Sequence, residues 1–239
     1  MTALIEAIGL TRRFGGILAV DALDFRVEEG ELVGLIGPNG SGKTTTINML
    51  TGHLAPSGGH VHLRGRRSDG MAADRFATLG VGRTFQITQL FARMSVLENM
   101  LVPGLARPGS TRAAAMDAAW RHLEFLNLAG LAAQPARSLS GGQQKLLELG
   151  RALMLEPAIL FLDEPFAGVN PVLRDEIIVL VQALHAEGRT FVVVDHDLAA
   201  IQRLVRRLVV MSRGAKIADG TVAAVRDDPA VVRAYTGDA

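Results

Sequence analysis

Eight consecutive residues, Gly37-Pro38-Asn39-Gly40-Ser41-Gly42-Lys43-Thr44, place three glycines, a lysine and a hydroxyl at fixed spacing. Glycine lets the backbone curl until successive N–H groups converge, and converging N–H groups bind phosphate oxygens. The ammonium of Lys43 then bridges the terminal phosphates, and the Thr44 hydroxyl takes a magnesium site. Thr45, next along, is counted with them among the phosphate-binding residues. An apolar run at 32–36 leads into this loop and a helix-forming segment ending near Leu50 follows it. Strand, glycine loop and helix in that order form the setting of a P-loop, and the helix dipole adds its positive end.

A second glycine pair occurs in Leu139-Ser140-Gly141-Gly142-Gln143, ahead of a helical segment at 144–155. Alone it reads as an N-cap and turn. Beside a P-loop it reads as a second anion-binding helix end, because the first N–H groups of a helix have no internal partner.

These groups need a scaffold. The continuous apolar runs 158–162 and 190–194 are expected to be parallel strands covered on both faces. They end in Asp163-Glu164-Pro165 and Asp195-His196-Asp197, and ligands of open α/β sheets gather at such carboxyl ends. An acid pair also suits the cap of a helix starting near Pro165, and a histidine at a strand end is commonly structural. Shorter alternating strands at 4–8, 23–27 and 61–63 suggest an antiparallel layer beside the parallel one. Residues 208–211, a hairpin at 214–220 and a C-terminal helix complete the pattern. Between about 87 and 150 strand character disappears, and Met116, Trp120, Leu123 and Leu126 or Asn127 share a helical face expected to be core. The reading is one α/β domain spanning 1–239, with 1–86 and 151–239 as the nucleotide-binding core and antiparallel layer, and 87–150 as a helical insertion.

Together the motifs resemble the ATP-binding subunit of ATP-binding cassette (ABC) transporters, with Leu139–Gln143 similar to that family's signature motif. The resemblance implies a P-loop NTPase (RecA-like) core, hydrolysis of ATP with Mg2+, and a head-to-tail dimer with a second copy or a paralogue. In such a dimer Ser140, Gly141, Gly142 and Gln143 of one chain close over the γ-phosphate held by the other. It also implies Asp163 as a magnesium acid, Glu164 as the residue polarising the attacking water, His196 as the γ-phosphate switch and Gln86 as the Q-loop glutamine near magnesium. Phe14 stands where the family stacks a ring on adenine; its alternative is a core phenylalanine of the N-terminal sheet.

Within the family, Val81-Gly82-Arg83-Thr84-Phe85-Gln86 and the ending Asp228-Pro229-Ala230-Val231-Val232-Arg233-Ala234-Tyr235 resemble branched-chain amino-acid importers. Asn170, where most of the superfamily carries Asp, is similar to the same branch. Departures are a short connection between Asn99 and Trp120, Asp195 in place of Glu, and a polar Thr236-Gly237-Asp238 ending. Urea, amide and lipopolysaccharide-export systems, the last on Phe166-Ala167-Gly168-Val169, remain open, as does a non-transport ATP-dependent clamp. Intact Glu164 and His196 oppose a non-hydrolysing clamp.

Composition limits the partners. At 239 residues and 49% hydrophobic the chain can bury a substantial core, while a net charge of +1 provides no field for nucleic acid. Absent cysteines leave no disulfide or thiolate site. No apolar run approaches the ~18 residues of a membrane span, so the expectation is a cytoplasmic protein at the inner face of the plasma membrane. It would be held there by permease subunits and linked through them to a periplasmic or extracellular substrate-binding protein.

Overall fold

The computed structural model describes residues 3–85 and 88–236. Two twelve-residue strands, β1 (Ala3–Phe14) and β2 (Ile17–Glu28), pair antiparallel through a turn at Gly15-Gly16. With β4 (Gly58–Leu63) and β5 (Arg66–Arg67) they form a four-stranded antiparallel sheet in the order β2-β1-β4-β5. This is the antiparallel layer expected from the alternating segments.

The second sheet runs β10-β9-β3-β8-β7-β6. Its members are β3 (Leu32–Ile36), β6 (Val81–Arg83), β7 (Ile159–Asp163), β8 (Thr190–Val194), β9 (Arg207–Ser212) and β10 (Ala215–Thr221). All neighbours are parallel except β10 on β9. β3, β7 and β8 are buried at every position, as expected of strands covered on both faces. Val33, Leu35, Phe161, Val192 and Val209 share one core with the antiparallel sheet and α1 (Lys43–Leu50). Leu32, Ile36, Leu160, Leu162, Phe191 and Val193 share the other with α5 (Gly141–Leu153), α6 (Pro171–Ala186) and α7 (Leu198–Leu204). The short α2 (Ala73–Thr78) precedes β6, whereas α3 (Val96–Ala106), α4 (Arg112–Phe125) and α5 fill the stretch between β6 and β7. α8 (Val222–Arg226) and α9 (Pro229–Thr236) close the described chain.

Three local expectations need correction. The helix expected near Pro165 begins at Pro171, because Asn170 caps it by accepting from the Leu173 N–H at 2.9 Å and Pro171 lies in its first turn. α5 begins at Gly141 rather than Gln144, with Ser140 as its cap. In α4 the buried stripe is Ala115, Ala119 and Leu123, joined beyond the helix by Leu126; Trp120 is 39% exposed and Met116 half-buried. The small alanines let α4 lie close to its neighbours, and Met116 and Trp120 turn outward.

Candidate nucleotide site

The P-loop joins β3 to α1 in a conformation that only glycine tolerates at its ends. A Cβ at Gly37 would lie 2.1 Å from the Met211 carbonyl oxygen, and one at Gly42, with φ +102°, would lie 2.5 Å from that of Ala19. Both obstacles are backbone and cannot swing aside. Gly42 caps α1, so Lys43, Thr44 and Thr45 occupy the first turn, with Thr44 exposed and Lys43 buried.

The Lys43 ammonium donates to the carbonyls of Gly37 at 2.7 Å and Pro38 at 2.9 Å, and to Ser41 Oγ at 3.5 Å. Burial lowers its pKa, while Glu164, Asp163 and Asp195 favour the charged form. An anion with several oxygens suits a cation held this way, because three rotatable N–H donors can be redirected to it. Phe14, Ala19, residues 39–45 and Glu164 line an open cleft. Phe14 is 45% exposed and the Arg12 guanidinium carbon lies 4.6 Å from its ring centroid, so the core alternative for Phe14 does not hold.

The parallel strands deliver the acids. Asp163, the last residue of β7, stands opposite Val194 of β8, and the Glu164 N–H extends the ladder to the Val194 carbonyl at 2.7 Å. Glu164 then turns with φ +50°, and its carbonyl accepts from the Ala167 N–H at 3.2 Å and from Lys145 Nζ at 2.9 Å. Beyond β8, the buried Asp195 accepts the Phe166 N–H at 3.0 Å and the Asp197 N–H at 2.9 Å. His196 is largely exposed, its Nδ1 3.6 Å from Asp195 Oδ1 and 4.0 Å from Glu164 Oε2. Glu164, His196 and the P-loop cleft are thus gathered at the carboxyl ends of neighbouring strands.

Asp163 differs from a free carboxylate, since its Oδ2 accepts from Arg83 Nη2 at 2.8 Å with both side chains buried. Among the described residues no group of three or more His, Cys, Asp or Glu could hold a metal. An exposed hydroxyl and a single carboxylate suit a hard cation that takes its remaining oxygens from phosphate and water, the habit of Mg2+. Gln86 lies outside the described residues.

Ser140, Gly141, Gly142 and Gln143 do not line the cleft. Ser140 and Gln143 form a capping box, Ser140 Oγ accepting the Gln143 N–H at 3.3 Å and Gln143 Oε1 accepting the Ser140 N–H at 2.9 Å. The paired glycines have separate reasons. Nothing lies near a Cβ at Gly141, whereas at Gly142 it would meet Leu173 of α6 at 1.9 Å.

Sequence reasoning missed several contacts. Lys145, Glu148 and Arg83 each reach the site from a distant element, and Lys145 and Glu148 left one trace as charged residues on a face next to Leu146, Leu147 and Leu149. The phenol of Tyr235 on α9 reaches the Gly37 backbone, and burial pushes its pKa up to about 12.

A family model described as ABC transporter matches residues 20–167, and one described as Branched-chain amino acid ATP-binding cassette transporter matches residues 215–239. The chain belongs to the ABC transporter ATP-binding family. This cassette is 41% identical to the high-affinity branched-chain amino acid transport ATP-binding protein BraF of Pseudomonas aeruginosa, over 99% of this chain and 98% of the relative. It is similar to the solved ADP conformation of an ATP-binding cassette of an ABC transporter, with TM-score 0.89 and 35% identity over 99% of this chain and 100% of that one. A dimeric post-hydrolysis cassette bound to ADP and Pi is also similar, with TM-score 0.82 and 25% identity over 91% of this chain and 98% of that one. The cassette is accordingly an ATP-binding subunit and an ATPase. Among the described residues no helix is long and apolar enough to cross a membrane.

Proposed function

We propose that this cassette hydrolyses ATP to power import of branched-chain or related amino acids through permease subunits. The observation that carries the ATPase reading is the meeting of Glu164 with the P-loop cleft, 4.0 Å from His196. In phosphoryl transfer the protein mainly positions groups and stabilises charge that spreads over the transferred phosphoryl oxygens. Residues 37–45 cradle the phosphates, Lys43 turns from the Gly37 and Pro38 carbonyls to the terminal phosphates, and Phe14 stacks on adenine. Glu164 orients and polarises the attacking water, and His196 contacts the γ-phosphate. Thr44, Asp163 and Gln86 would hold Mg2+, which when bound neutralises phosphate charge.

The 140–143 segment lies outside its own chain's cleft, which supports a composite site: capped helix N–H groups without a ligand of their own meet the γ-phosphate in a second chain. The dimeric relative bound to ADP and Pi supports the same arrangement. Residues 87–150 serve as the signature subdomain, and the cassette sits peripherally at the inner membrane face, with a substrate-binding protein linked through the permease. The names of the relative and of the C-terminal family model support the substrate class.

The test is steady-state phosphate release by the purified cassette, then uptake of labelled leucine by proteoliposomes carrying cassette, permease and binding protein. Absence of magnesium-dependent release overturns the ATPase reading. Hydrolysis stimulated by urea but not by leucine overturns the substrate.

A further inference from the structure

The signature helix reaches back into its own chain's site. Lys145, Glu148 and Arg151 stand three residues apart along α5 and share a face of it. The Lys145 ammonium donates to the Glu164 carbonyl at 2.9 Å, and Glu148 Oε1 accepts the Phe85 N–H at 3.1 Å. Arg151 donates to the Gln89 carbonyl, and its guanidinium carbon lies 4.9 Å from the Phe91 ring centroid. One helix face therefore holds Phe85, Gln89 and the peptide of Glu164.

The grip includes a residue in an uncommon backbone conformation. Glu164 has φ +50°, a conformation uncommon for a residue with a side chain, and persists where its surroundings fix it. Its N–H is held by β8 through Val194, and its carbonyl accepts both from Lys145 of α5 at 2.9 Å and from the Ala167 N–H of its own turn at 3.2 Å. The Val194 and Lys145 anchors differ in kind. β8 belongs to the central sheet, whereas α5 starts at the exposed Ser140 cap, the end a second chain would engage. Lys145 is kept from water by burial, which lowers its pKa, while Glu148, Asp195, Glu164 and Asp163 attract its charge. A partly desolvated ammonium bonded to a carbonyl makes a strong, directional hold.

We propose that Lys145 is a positioning residue for Glu164, and that with Glu148 and Arg151 it makes α5 the link between Phe85 and Gln89 on one side and the hydrolytic carboxylate on the other. The inference rests on the role proposed for Glu164. Engagement of the α5 N-terminus, or displacement of Phe85 or Gln89, then changes the aim of Glu164 without touching the nucleotide. Lys145, Glu148 and Arg151 do not line the cleft at residues 39–45, so nucleotide affinity should not depend on them.

The test compares Lys145→Met, Lys145→Arg and Glu148→Gln with the unmodified cassette for magnesium-ATP affinity, kcat and melting temperature. Lys145→Met should lower kcat by about tenfold, the factor expected on losing one charge-assisted hydrogen bond, with ATP affinity unchanged. Lys145→Arg, which still donates, should restore most of it. Glu148→Gln keeps an acceptor for Phe85 but removes the charge facing Lys145, so its kcat should fall less, again at constant affinity. Should Lys145→Met lower the melting temperature, the Lys145→Arg and Glu148→Gln pair decides by the same split between kcat and affinity. Unchanged kcat in both Lys145→Met and Glu148→Gln, or parallel loss of affinity and kcat, overturns the proposal. An unmodified cassette that releases no phosphate overturns instead the function on which it rests.

Discussion

Arg83 Nη2 lies 2.8 Å from Asp163 Oδ2, with side-chain exposures of only 7% and 3%. The same guanidinium donates to Asn48 Oδ1 at 2.6 Å and contacts Thr51, tying β6 and β7 to α1. Removing one partner of a buried pair leaves the other charge uncompensated. Arg83→Met should therefore cost about 3–5 kcal/mol in urea unfolding of the nucleotide-free protein. A loss below about 1 kcal/mol, the range of surface pairs, would show that Asp163 is satisfied without Arg83.

Lys43 and Glu164 should separate binding from turnover. Lys43→Ala removes the ammonium bonded within the phosphate loop and should abolish both nucleotide affinity and hydrolysis. Glu164→Gln should keep ATP while slowing phosphate release by a factor on the order of 10², as expected when a positioned base is lost. Equilibrium binding of a fluorescent ATP analogue beside a phosphate-release assay reads both; equal loss of binding in the two variants would contradict the role given to Glu164.

Adenine stacking has its own signature. Phe14→Ala should weaken ATP by about 1–3 kcal/mol, the range for aromatic–base stacking. Because Phe14 is 45% exposed, the melting temperature without nucleotide should scarcely change. Calorimetric titration and a thermal melt check it, and a large drop in melting temperature at constant affinity would return Phe14 to a packing role.

Oligomerisation should follow nucleotide state. Glu164→Gln with magnesium-ATP should become dimeric by light scattering, because two bound nucleotides across an interface stabilise the dimer over the monomer. Ser140→Arg, added to that variant, should keep it monomeric by blocking the exposed helix cap. Dimerisation of both, or of neither, would remove the composite site.

What the sequence revealed and what it hid have separate physical origins. β3 and β8 were legible to the residue, because strands covered on both faces are continuous apolar runs. The phosphate loop was legible because its glycines answer a local backbone demand. The start of α6 was misplaced since Asp163, Glu164 and Asn170 are all plausible caps, and only the observed bond from Leu173 N–H to Asn170 selects among them. Trp120 was misjudged because helical periodicity cannot tell a stripe led by Ala115 and Ala119 from its neighbour one residue along. Lys145 on Glu164 and Glu148 on Phe85 join residues far apart in the chain, and pairing of that kind leaves no periodic mark.

Glu148 gives a pH prediction. Burial raises its pKa above the ordinary 4.5, although the Phe85 and Gln89 backbone groups pull it back. The folded protein therefore keeps this proton to higher pH than the unfolded chain. The stability belonging to the protonated form is complete below the unfolded value and is lost as pH rises through the folded one. Glu148→Gln resembles the protonated carboxyl, so its melting temperature relative to the unmodified protein should rise with pH across that window and then level off. A pH-independent difference would mean that Glu148 titrates as an ordinary exposed acid.

Register matching of β7 with β8 carries a further consequence. Asp163 stands opposite Val194 and the Glu164 N–H continues the same ladder, so the offset between carboxylate and histidine is counted in whole residues. Adjacent steps along a strand point to opposite faces. A deletion within either strand would turn an entire row of side chains into the wrong core, whereas the half-exposed turn at 107–110 can absorb added length. Insertions and deletions should thus be tolerated only where they leave this integer untouched.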